Sequence, residues 1–92
     1  MVRAVERVVN CFDRHTEELE KKLSLKGITL QLLQKIFHVP ADDPMYDSFR
    51  VEPHHAEQLQ PYLLEKLDLE HCECFLDCDA IDPADRTRGV EP

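Results

Sequence analysis

Val2-Arg3-Ala4-Val5-Glu6-Arg7-Val8-Val9-Asn10-Cys11-Phe12-Asp13-Arg14-His15-Thr16-Glu17-Glu18-Leu19-Glu20-Lys21-Lys22-Leu23-Ser24-Leu25 can be read in two ways, and the choice decides the fold. Val2, Val5, Val9, Phe12, Thr16, Leu19 and Leu23 recur at alternating spacings of three and four, the stripe of one long amphipathic helix. Against that, Val2, Val5, Val8 and Val9 are β-branched and crowd a helical turn. Asp13-Arg14-His15-Thr16 sets turn formers between an apolar run and a second segment, Glu17 to Leu25. That segment alternates Leu19, Lys21, Leu23 and Leu25 with Glu18, Glu20, Lys22 and Ser24. The helix propensity of Glu17 to Leu23 pulls the other way. A hairpin is the preferred reading, with one helix over residues 2–25 left open.

Downstream the elements are better marked. Gly27 punctuates, and Thr29 caps a helix carrying Leu30, Leu33 and Phe37, with Leu32 and Ile36 widening its apolar stripe. Pro40 and Pro44 end it and hold Ala41-Asp42-Asp43 as a turn-rich loop. Tyr46 to Val51 reads as a strand with Phe49 and Val51 on one face and Tyr46, Ser48 and Arg50 on the other. Pro53 suits a first helical position. The helix it opens turns Ala56, Leu59, Leu63, Leu64 and Leu67 inward, and Pro61 must kink or split it. His71 to Ala80 is the last strand, with Cys72, Cys74, Leu76, Cys78 and Ala80 on one face and Glu73, Phe75, Asp77 and Asp79 on the other. The predicted fold is α+β: a small, mostly antiparallel sheet in the order β-β-α-β-α-β, with both helices on one face. Residues 1–82 form the single domain and 83–92 a disordered tail.

Ninety-two residues, 42% of them hydrophobic, leave room for one modest core and no second domain. No apolar run reaches the roughly 18–20 residues of a membrane span, and the charges at Arg3, Glu6 and Arg7 are wrong for a secretory signal. The expected compartment is the cytoplasm. The net charge of −8 disfavours nucleic acid or an anionic membrane as partner. Most of it sits in residues 52–81, where eight acids face Lys66 alone, a local charge of −7. Such a block is either a solvated surface or an acidic docking surface.

No constellation announces catalysis. Gly27 and Gly89 are the only glycines, so there is no phosphate-cradling loop, and neither Ser24 nor Ser48 sits in a nucleophile elbow. The chain is expected to be a non-enzyme without a cofactor. Cys72, Cys74 and Cys78, with His71 beside them and His54-His55 upstream, supply soft ligands for zinc. Their alternating placement points the sulfurs to one side, where they act as small core hydrophobes, joined by Cys11 from the first strand. No metal is therefore expected. His54-His55, adjacent on a helix, is a poor chelating pair. The remaining candidate is Asp42-Asp43-Pro44-Met45-Tyr46-Asp47, a proline-stiffened acidic loop that either exposes Met45 and Tyr46 to a partner or merely ends at Pro44 while both side chains tuck into the core.

Several stretches taken together carry a resemblance. Cys11 to Leu19, Leu30 to Phe37, Asp43-Pro44-Met45-Tyr46-Asp47 and Cys74-Phe75-Leu76 resemble a family of small bacterial domains of unknown function with a Phe-Asp-x-x-Thr-Glu and an Asp-Pro-Met-Tyr-Asp pattern. Such small acidic chains are similar to the immunity proteins of polymorphic toxin systems. The resemblance implies a turn at Phe12 to Glu17, hence a hairpin, and a partner in the form of a cognate toxin with a basic binding cleft. It carries over no binding residue. The partner-binding candidates read from the chain are Asp42, Asp43, Met45, Tyr46 and Asp47 of the loop and Glu73, Asp77 and Asp79 of the last strand. Two other classes remain: a Cys/His metal-binding regulatory domain and an adaptor or oligomerisation module.

Overall fold

The first segment is a hairpin. In the computed structural model, which describes residues 4–81, strand β1 (Ala4–Asp13) turns into strand β2 (Leu19–Ser24). Asp13 makes the turn: its carboxylate accepts the backbone N–H groups of His15 at 2.7 Å and Thr16 at 2.9 Å, an Asx-type bend. Between Cys11 and Phe12 the register slips, Cys11 facing Lys21 and Phe12 facing Leu19, so that Glu20 is the extra residue of a bulge.

Helix α1 (Leu30–Phe37) starts where Thr29 accepts the N–H of Leu32 at 3.1 Å. It ends at His38, whose left-handed backbone (φ 56°) closes the last turn. Strand β3 is only Phe49–Arg50, shorter than the predicted Tyr46 to Val51. Helix α2 (Pro53–Leu59) passes into a 3₁₀ turn, Gln60–Tyr62. Pro61 thus ends the helix, because it lacks the N–H to continue it. The chain beyond is irregular, so Leu64 is 89% exposed, where helical periodicity placed it inside. Leu63 and Leu67 are buried as expected.

Strand β4 (Cys72–Ile81) pairs with β1 along its whole length, from Asp13 opposite Cys72 to Ala4 opposite Ile81. The sheet runs β2-β1-β4-β3 with every pair antiparallel, a small α+β fold. Val9, Cys11, Cys72, Cys74 and Leu76 line its inner face. They pack with Leu33 and Ile36 of α1, Leu59 of α2, Val51 and Met45 into one core cluster. Both helices therefore cover the same side. Residues 83–92, expected to be a tail, lie outside the described residues.

Candidate functional site

Cys11 and Cys74 face the core, so strand alternation turns their neighbours Phe12 and Phe75 to the opposite side. No described helix covers that side. The two rings meet edge to face, with centroids 6.1 Å apart and planes at 71°, a favoured aromatic geometry. Leu19, opposite Phe12 on β2, adds a side chain that is 52% exposed. Phe12, Asp13, Glu17, Glu73 and Phe75 line a depression of about 370 Å³ whose floor is aromatic and whose walls carry carboxylates.

The charges around this apolar centre are organised in register. Arg50 donates to Glu73 at 2.8 Å and reaches Glu52 at 3.3 Å. Asn10 donates its amide to Asp77 at 2.6 Å, and Lys22 pairs with Asp79 at 2.6 Å. Ser24 donates to Glu6 at 2.5 Å. The three β4 acids predicted from sequence, Glu73, Asp77 and Asp79, do share one half-buried column, each already held by a neighbour. Exposed pairs of this kind add little stability, but they fix where the carboxylates stand. Val8, between its register partners Ser24 and Asp77, is 1% exposed despite lying on this face. The Oδ1 of Asn10 is buried and has no partner among the described residues.

The loop candidates have a different geometry. Met45, a binding candidate on one reading of the loop and a core residue on the other, is 1% exposed and belongs to the core. Its backbone is left-handed (φ 56°), and three contacts force the bend. Asp43 accepts the Met45 N–H at 2.8 Å, while Arg7 donates to the carbonyls of Met45 at 2.6 Å and Pro44 at 3.0 Å. From the other side, buried Gln34 of α1 donates to the carbonyls of Ala41 and Asp43. Asp42 and Asp43 are thereby tied to α1, on the helix-covered side, away from Glu73, Asp77 and Asp79. Tyr46 is 66% exposed and Asp47 is exposed beside it. No hydrogen bond or ion pair joins the two groups of candidates among the described residues.

Several other groups bear on chemistry. No set of three or more His, Cys, Asp or Glu in metal-binding geometry occurs among the described residues. A groove of about 670 Å³ runs between the start of α2 and residues 66–71. Two of its polar groups are turned on one another: Asp68 bonds His71 at 2.7 Å, which raises the His71 pKa and lowers that of Asp68. His55 stacks on Phe37 at 4.2 Å, and this burial, with His54 beside it, lowers its pKa. Cys74 donates its thiol proton to the Cys11 sulfur across 3.2 Å.

Sequence reasoning missed Phe12, Leu19 and Asn10 as surface residues. The signal was present: once Cys11 is placed inward, period-two alternation puts Phe12 and Asn10 beside Phe75. No helix among the described residues is long and apolar enough to cross a membrane. A family model described as a domain of unknown function (DUF7683) matches residues 6–77, which take in part or all of every strand and both helices. No curated protein matches the chain.

Proposed function

This chain belongs to the DUF7683 family, whose description assigns no activity, and we propose from its open sheet face that it is an immunity protein, binding a cognate toxin and occluding its active site. One observation carries the reading: the Phe12–Phe75 pair, ringed by Glu73, Asp13 and Glu17 on a face that neither helix covers. Aromatic centres with polar rims are how protein interfaces concentrate their binding energy. The aromatic floor with carboxylate walls suits a Lys or Arg side chain, which gains both cation–π attraction and ion pairing. A toxin that acts on an anionic substrate has a basic cleft, so the acidic rim would speed encounter and fix orientation. The blockade is steric and needs no chemistry from the immunity protein itself. It is expected to work in the cytoplasm.

The same face could serve an adaptor that pairs with its own copy. Two-fold pairing would set acid rim against acid rim, a cost that a basic partner avoids. Co-expression with the proposed cognate toxin tests the reading. Wild-type protein should restore growth, whereas Phe75→Ala combined with Glu73→Lys should lose protection at unchanged protein level. Full protection by that double variant would overturn the proposed face.

A further inference from the structure

Cys11 and Cys74 form a site that the binding reading leaves unused. They are direct partners in the β1–β4 register, and both point into the core, 3% and 1% exposed. Opposed residues of antiparallel strands have Cα atoms roughly 4.5–5.5 Å apart, inside the roughly 4.4–6.8 Å that a disulfide spans. The sulfurs are already in contact at 3.2 Å. We infer that Cys11 and Cys74 are a redox modification site, a thiol pair that a peroxide converts to a disulfide joining the two central strands.

The pair is polarised for this chemistry. Cys74 donates its proton to Cys11, and Lys21, the β2 partner of Cys11, adds positive charge. Together they lower the Cys11 pKa against the effect of burial, while Cys74 is held protonated. Cys11 is therefore the nucleophile. Its thiolate attacks one peroxide oxygen, the O–O bond breaks, and hydroxide leaves to take up a proton. The Cys74 sulfur then displaces hydroxide from the Cys11 sulfenic acid, and the Cys74 proton departs with it as water. The sum is two thiols and one hydrogen peroxide giving one disulfide and two waters. Cys72 does not compete for Cys74, because residues i and i+2 of a strand stand about 7 Å apart, beyond disulfide reach. Burial makes the step slow, limited by local opening of the strands. The bridge would lie directly behind Phe12 and Phe75, on the reverse of the sheet.

The test is to treat the folded full chain with hydrogen peroxide, unfold it, alkylate it and map the peptides. Before alkylation the oxidised chain should be 2 Da lighter than the reduced one; after it, Cys11 and Cys74 should be linked and Cys72 and Cys78 alkylated, with dithiothreitol freeing the linked thiols. Its melting midpoint should be higher than that of the reduced protein, because the bridge closes a long loop. Cys72→Val should still form the link and Cys74→Val should not. If Cys74→Val fails to fold, the wild-type peptide map decides by itself. Alkylation of Cys11 and Cys74 after treatment, or a link from Cys11 to Cys72, would overturn the inference.

Discussion

Replacing Met45 with Ala separates the two meanings of the Asp-Pro-Met-Tyr-Asp stretch, anchor or binding loop. Met45 is 1% exposed among the residues of the core. Truncating a buried Met to Ala costs about 2–5 kcal/mol, from lost transfer energy and the cavity left behind. The bonds to its backbone, from Arg7 to its carbonyl and from its N–H to Asp43, survive the change. The strain of the left-handed backbone is common to Met and Ala, so it cancels. About 3 kcal/mol is therefore the side chain's own share. For a chain of this size that lowers the melting midpoint by roughly 12–24 °C. Tyr46→Ala, one residue on and 66% exposed, should change stability by no more than about 0.5 kcal/mol. Urea titration of both variants measures the contrast. A loss under about 1 kcal/mol for Met45→Ala would refute the placement of Met45 in the core.

Other outcomes follow from the caps and the titrating groups. The Nδ1 of His55 accepts the Glu52 N–H at the start of α2, at 3.0 Å, so protonating it removes a cap as well as charging a ring stacked on Phe37. Since its folded pKa lies below its unfolded value, its contribution is full above about pH 6.5 and is lost as pH falls through the lowered pKa. His71 has the opposite sign: its raised pKa favours the fold below about pH 6.5, and that contribution fades as pH rises through the folded value. Imidazole NMR should show His71 titrating above His55, and Asp68→Asn should bring His71 down; the reverse order would contradict both assignments. Thr29→Ala should cost about 1 kcal/mol by removing the N-cap of α1, read as a lower urea midpoint with an unchanged slope.

Much of the fold was legible because its signals are local. The hairpin turn is made by Asp13 bonding its own next residues, and the helix starts are marked by Thr29 as a cap and Pro53 as a first helical residue. The alternation of Cys72 to Asp79 needed only the period of a strand. The failures have more than one cause, and the first is control from a distance. Met45 is buried because Arg7, on another strand, and Gln34, on a helix, hold the loop against the core. Nothing between Asp42 and Asp47 encodes those contacts. Leu64 went wrong through continued helical periodicity past Pro61, where the chain takes a 3₁₀ turn instead. The acidic block of residues 52–81 is real, but Arg50, Lys21 and Lys22 lie outside it and pair with Glu52, Glu73, Glu65 and Asp79. Counting charge along the chain therefore overstates the charge free to meet a partner.

The account rests on the open sheet face as the docking surface, and the affinity for the proposed cognate toxin tests that most directly. Titration calorimetry should compare wild type with Phe75→Ala, Glu73→Lys and Asp42→Lys, the last in the loop tied to α1. Loss of an interface anchor worth about 2 kcal/mol predicts roughly 30-fold weaker binding for Phe75→Ala. Glu73→Lys should weaken binding most at low salt, where charge is least screened. Asp42→Lys should bind within about two-fold of wild type, the size expected of a charge away from the interface. Full affinity in Phe75→Ala together with a large loss in Asp42→Lys would contradict the account and move the interface to the helix side.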